Sequence, residues 1–305
     1  ENDEKVLILD NEYNSSSIVI DKIKEIVGKE KVKNLEYIKL DICDKESLEN
    51  VFKNHDIREI IHLAAYKAVG ESVEKPIMYY KNNLVGFLNI LEMVKKYNVK
   101  SIIFSSSATV YGNPDSILAK ETAKRSFTNP YGGTKLMSEQ ILEGLNVSDK
   151  NLSIIILRYF NPVGAHKTGL IGEDPKGIPN NLMPIVLKVA TGEMEKVKIF
   201  GNDYDTIDGT GVRDYIHVVD LAKGHVAALR KSREKQGILE VYNLGMGKGY
   251  SVLEIITKFE EVTGLKVKKE IAGRRQRRYC RNICRYIKSK KRIKLETRTW
   301  YNRYV

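Results

Sequence analysis

The chain has 305 residues, 42% of them hydrophobic and 30% charged, enough apolar content to bury one large core or two moderate ones. Of its 51 Lys and Arg, 13 lie between Arg274 and Val305 beside a single acid, Glu296; the remaining 38 basic and 38 acidic residues balance, so the formal charge of +12 belongs to the tail and not to the body. The three cysteines, Cys43 and two in the tail, offer neither a disulfide framework nor metal-ligand spacing, and no run of 18 apolar residues occurs, so a cytoplasmic enzyme is expected, with no metal, no membrane and no nucleic acid as partner.

In chain order, short apolar runs alternate with amphipathic stretches. VLIL at 6–9 predicts a first strand, YIKL at 37–40 a second and EIIHLAA at 59–65 a third. Leu84 to Tyr97 carries Leu88, Leu91 and Val94 on one face and predicts a helix. SIIFSSS at 101–107 and LSIIILRYF at 152–160 predict two further strands. Unbroken apolar runs suit parallel strands covered on both faces. The alternation therefore predicts an α/β fold, a Rossmann-like doubly wound parallel sheet, with a smaller C-terminal substrate-binding region. NPVGAHKTGLIGEDPKGIPNN, from Asn161 to Asn181, is too long for an idle connection, and a helix is expected from about Leu182. The expected division is 1–163 for the nucleotide-binding domain, with 213–245 returning to it, 164–212 and 246–276 for the substrate-binding region, and 277–305 as an aberrant basic tail.

YGGTK at 131–135 places Tyr131 and Lys135 on one face of a helix starting near Pro130. An ammonium there stabilises phenolate and makes a phenol usable as a general base. SSSATVYG at 105–112 follows an apolar strand, where a serine hydroxyl can hold the oxygen that the tyrosine deprotonates. Asp10 and Asn11 end the strand at 6–9, and an acidic residue closing the second strand of such a fold accepts hydrogen bonds from the adenosine ribose. Asp41 and Ile42 follow the second strand, suited to the adenine. Leu63, Ala64, Ala65 and Lys67 follow the third, near a pyrophosphate. His62 and His217 lie in strand-like contexts and read as packed core imidazoles.

SSSATVYG, YGGTK, HLAAYKAVGESVEKP, RYFNPVGAH, GIPNNLMP and IFGNDYDTIDGTGVRDYIHVVDLAKGH occur in that family's form in a chain that resembles the UDP-glucose 4-epimerases, a family of extended short-chain dehydrogenases/reductases. The resemblance runs from about Val6 to Arg275. It implies NAD as a retained cofactor, UDP-galactose and UDP-glucose as substrates, and a homodimer. By it, Ser107 orients the sugar 4-hydroxyl, Tyr131 takes its proton, and Lys135 binds the nicotinamide ribose and keeps Tyr131 acidic. Lys67, Asn82 and Phe160 become further cofactor ligands. Asn161, Asn180, Asn181, Leu182, Lys198, Ile199, Phe200, Arg213 and Arg275 match the positions that grip UDP and sugar. For Arg213 a bidentate diphosphate clamp stands beside the alternative of an ion pair with Asp214 or Asp220. Sugar-nucleotide dehydratases share the scaffold but carry an Asp-Glu pair where this chain has Ala108 and Thr109. UDP-glucuronate decarboxylases are a further relative.

Two departures stand out. The family's first strand and its G-x-x-G-x-x-G turn, which cradles the NAD pyrophosphate, are not found, and ENDEKVLILDN resembles what comes roughly twenty residues later in such a fold. Weak NAD binding by these 305 residues is expected. The resemblance also stops after GRRQ at 273–276. Back-translated with AT-rich codons and shifted by one nucleotide, the tail can spell GDIAEIYADISKAKKELNWKPEHGIIDM, a charge-balanced amphipathic ending. A shifted reading frame is therefore expected there, in preference to a nucleic-acid-binding arm.

Overall fold

The long apolar runs become strands, and those at 101–107 and 153–159 are buried on both faces. The computed structural model describes residues 4–113, 118–274 and 281–284. β1 (Val6–Asp10) lies parallel to β2 (Leu35–Lys39), joined through α1 (Ile18–Val32), which kinks at Gly28 with φ 77°. α2 (Lys45–Asn54) starts where the Asp44 side chain accepts from Ser47 N–H, and leads to β3 (Glu59–His62). α3 (Val69–Glu74), α4 (Pro76–Tyr80), a π turn at Lys81–Val85 and α5 (Gly86–Lys96) follow. Next come β4 (Ser101–Ser107), a 3-10 turn at Ala108–Val110, β5 (Leu118–Ala119), α6 (Pro130–Ser148) and β6 (Ser153–Tyr159).

β7 (Asn161–Val163) is followed by α7 (Leu182–Ala190), β8 (Val197–Phe200) and β9 (Val212–His217). α8 (Val218–Glu234) and β10 (Leu239–Leu244) carry the chain back to the main sheet. β11 (Gly249–Ser251), α9 (Val252–Thr263), β12 (Lys269–Ala272) and β13 (Arg281–Cys284) complete the smaller region.

The main sheet has the order β10-β6-β4-β3, all parallel. Ile102, Ile103, Ile154, Ile155 and Ile156 are wholly buried within it, each contributing about 1.5–3 kcal/mol of transfer free energy. A second sheet runs β11-β9-β13-β5 with β7 beside β9, and β8 pairs with β12. β9 pairs with β7, β11 and β13 and not with the main sheet, which the chain rejoins at β10.

Two features depart from simple burial. β1 is as apolar as β4, yet Val6 is 46% exposed, and Ile61 on β3 is 37% exposed. Both strands line a cleft of about 1870 Å³, and each pairs on one side only among the described residues. On α5, Leu91 and Val94 are buried as the periodicity predicts, but Leu88 is 43% exposed at the margin of the apolar stripe. Phe87 and Ile90 take the core-facing side in its place.

Within the basic tail, β13 runs parallel to both β9 and β5, and Cys284 is buried with its N–H donating to Asp214 Oδ2 at 3.0 Å. Arg275 and the rest of the segment read as frame-shifted lie outside the described residues.

Candidate active site

Parallel strands bring their carboxyl ends to one edge, and this edge gathers the chemistry. β4 ends at Ser107 beside the end of β6 at Tyr159, and His62 of β3 is level with Phe104 of β4. Ser107 is 9% exposed and caps the 3-10 turn, its Oγ accepting the Thr109 N–H at 3.2 Å. α6 begins beside it because Pro130 supplies the first-turn φ and Asn129 Oδ1 accepts the Gly132 N–H at 2.9 Å. A Cβ at Gly132 would stand 3.2 Å from the Thr109 carbonyl, so glycine lets the helix close on the serine loop. Tyr131 is thereby brought beside the serine loop, near enough for Ser107 to act on the phenol's charge state.

Electrostatics at the pair differ from the expectation. Burial pushes the Tyr131 phenol up, Tyr159 adds to the rise, and the Ser107 hydrogen bond opposes it. Lys135, one turn further and 4% exposed, donates to the Ser105 carbonyl at 2.8 Å and lies 5.0 Å from the Phe104 ring centroid. Burial brings its ammonium down to about 8, with Glu139 opposing. Desolvation of both groups therefore outweighs the acidifying help that the spacing suggested.

Eight of the proposed cofactor residues line the large cleft, while Asp41, Ser107, Tyr131, Lys135 and Phe160 are not in its lining. Asp10, Asn11, Ile42, Leu63, Ala64, Ala65, Lys67 and Asn82 all face it. Asn11 Nδ2 donates to Asp41 Oδ2 at 3.1 Å, tying the ends of β1 and β2 together. Asp10 Oδ1 accepts from the Glu12 N–H at 2.6 Å and Ser15 Oγ at 2.8 Å. These carboxylates and the amide suit the hydroxyls of an adenosine ribose, while Lys67 supplies a cation for phosphate. Phe160, 6% exposed, packs instead with Ala108, Tyr111 and Leu136.

Substrate candidates are spread over the smaller region. Asn161 opens β7, Asn180 is exposed, and Asn181 and Leu182 sit at the start of α7. Asn181 Nδ2 donates to Glu173 Oε1 at 2.6 Å, and Lys67 Nζ meets that same oxygen at 3.0 Å. On β8, Lys198 is exposed, Phe200 half-buried and Ile199 1% exposed in a core cluster, which leaves Ile199 only its backbone to offer. Arg213 donates from Nη1 to the Val212 carbonyl at 2.7 Å. Its neighbour Asp214 is fully buried and accepts from the N–H groups of Met246, Gly247 and Cys284, while Asp220 lies 3.8 Å from Lys223.

His62 is packed between Phe87 and Phe104, with burial driving its pKa down to about 3. His217 caps α8, its Nδ1 accepting the Val219 N–H at 3.2 Å. Among the described residues no three His, Cys, Asp or Glu side chains gather as a metal site. Sequence reasoning passed over Glu139, Arg158 and Arg125, a buried ionic cluster behind the serines. Its one legible signal was the position of Glu139, four residues beyond Lys135 on the same helical face.

A family model described as the NAD dependent epimerase/dehydratase family matches residues 1–245. A UDP-glucose 4-epimerase of Bacillus subtilis (strain 168) is 53% identical over 271 residues, spanning 89% of this chain and 78% of its own length. The Homo sapiens UDP-glucose 4-epimerase is 50% identical over 256 residues, 84% of this chain and 72% of its own. Among solved structures, UDP-glucose 4-epimerase from Bifidobacterium longum in complex with NAD+ and UDP is similar with a TM-score of 0.93 and 47% identity, covering 98% of this chain and 88% of that one.

Proposed function

The chain belongs to the NAD-dependent epimerase/dehydratase family, and from that premise we propose that it is a UDP-glucose 4-epimerase, interconverting UDP-galactose and UDP-glucose with NAD as cofactor. The observation that carries the reading is the placement of Ser107 at the carboxyl end of β4 with the start of α6, bearing Tyr131 and Lys135 one turn apart, beside it. Ser107 takes the Thr109 N–H on its oxygen, which sets that hydroxyl to hold the sugar 4-oxygen. Tyr131 receives the 4-hydroxyl proton and later returns one. NAD, when bound, supplies the acceptance of hydride from carbon 4 and its return to the opposite face, so net redox is zero. Lys135 keeps a positive charge one turn from the phenol.

Ala108 and Thr109 favour epimerisation over dehydration, since neither side chain carries the carboxyl proton shuttles that water elimination needs. Arg213, at the start of β9, is read as the diphosphate clamp because a guanidinium can meet phosphate oxygens bidentately. Asp10, Asn11 and Asp41 hold the adenosine end. A homodimer fits the exposed Leu88, which lines a groove with Leu91, Ile141 and Leu145. A reducing cytoplasm fits the free Cys43 and Cys284.

The test is conversion of UDP-galactose to UDP-glucose with excess NAD added, followed through a UDP-glucose dehydrogenase. Tyr131→Phe is expected to lower kcat by about 10²–10⁴. Equal turnover in the variant would remove Tyr131 as the base, and no turnover in either would count against the activity.

A further inference from the structure

Behind the serine loop lies a charged cluster that the reaction as described leaves unused. Glu139 is fully buried on α6, one turn past Lys135 and two past Tyr131. Its Oε1 accepts from Ser106 Oγ at 2.6 Å and Arg158 Nε at 2.9 Å. Its Oε2 accepts from Arg158 Nη2 at 2.7 Å and Arg125 Nη1 at 3.1 Å. Arg158, on β6 and 2% exposed, donates onward from Nη1 to the Tyr111 hydroxyl at 3.1 Å and the Glu121 carbonyl at 2.9 Å. Tyr111 in turn donates to Asn243 Oδ1 on β10 at 2.5 Å. The cluster therefore grips the serine loop on both sides of Ser107, at Ser106 and at Tyr111.

A buried ion pair is a poor device for stability alone, because desolvation offsets the Coulomb gain and apolar replacements often serve as well. A network with its donors and acceptors matched confers rigidity. Epimerisation needs that rigidity: the sugar must present each face in turn to one fixed base. Resting on the epimerase reading, we infer that Glu139 and Arg158 are positioning residues that fix Ser107 through Ser106 and Tyr111 and set a negative charge one turn beyond Lys135.

Lys135 is also faced by His62 from β3 and by the Ser105 carbonyl of β4, with His225 of α8 hydrogen-bonded to the Ser105 hydroxyl at 2.9 Å. Tyr131 on its own helix and Tyr159 on β6 complete the setting, and Arg158 and Arg125 stand behind Glu139. His62 is pushed toward its neutral form by burial, which leaves Glu139 as the carboxylate supporting the ammonium.

Glu139→Gln keeps the size and removes the charge. It is expected to lower kcat roughly tenfold or more, with the KM for UDP-galactose nearly unchanged. It should also move the titration of Lys135 down by about one pH unit, read by NMR of 13C-labelled lysine side chains with Lys135→Arg to assign the signal. Glu139→Asp, shorter but charged, should restore the titration without restoring kcat. Ser106→Ala should lower kcat several-fold and leave the titration in place. A folded Glu139→Gln chain with the parent's titration overturns the inference; if that variant does not fold, an unchanged kcat in Ser106→Ala overturns it. An inactive parent counts against the epimerase reading, and the titration, which needs no turnover, then decides the positioning pair.

Discussion

Lys135 and Arg158 both bury a cation, and the consequences run in different directions. Lys135 titrates near 8 against an ordinary 10.5 because burial penalises its charge. Between those values the unfolded chain binds the proton that the folded chain has lost. The penalty is therefore fully present below about 8, and stability rises with pH across the interval. Activity runs the other way, since an uncharged Lys135 no longer supports phenolate. The kcat profile is expected to fall on its alkaline side around pH 8, and Lys135→Arg, always protonated, should abolish that fall if it retains turnover. Arg158 has no such freedom, being locked to Glu139 by two hydrogen bonds. Arg158→Met, which strands the buried carboxylate, is expected to cost about 3–5 kcal/mol in urea unfolding. A loss below about 1 kcal/mol would mean that Ser106 and Arg125 satisfy Glu139 unaided.

α6 is the element on which the site turns, and its start was legible. The helix was expected to start near Pro130 and runs Pro130–Ser148, with proline at its first position behind a cap by Asn129 that the structure supplies. Asn129→Ala should cost about 1 kcal/mol of stability and also lower kcat, because the frayed first turn carries Tyr131. Equal kcat with the stability loss would show that Tyr131 is held by packing alone. The strand assignments at 6–9, 37–40, 101–107 and 152–160 each correspond to an observed strand. EIIHLAA yields only Glu59–His62, since the chain must leave the sheet there to reach the cleft. Leu88 was the misplaced residue: periodicity assigns a face, but how much of that face a neighbouring element covers is decided by packing.

At the scale of the whole molecule, the cleft between β1 and β3 makes the sharpest prediction. With one edge of each strand lacking a strand partner among the described residues and a cleft of about 1870 Å³ between them, these 305 residues are expected to hold NAD weakly. Isothermal titration giving a Kd below about 1 μM would refute this. On the proposed homodimer, Leu88→Glu is expected to shift sedimentation toward the monomer, because a carboxylate would be driven into the groove with Ile141 and Leu145; an unchanged sedimentation coefficient would remove this groove as the interface. The sequence by itself determined the α/β alternation, the Tyr131 and Lys135 stripe, and the strand ends that carry Asp10, Asp41 and Ser107, because periodicity, strand termini and helix caps are local properties of the chain. Only the tertiary structure decided that Tyr131 and Lys135 are both desolvated, that Asp214 serves backbone amides and that Glu139 meets Arg158 and Ser106. Those outcomes depend on which groups lose water together, and solvent exclusion is set by residues far apart along the chain.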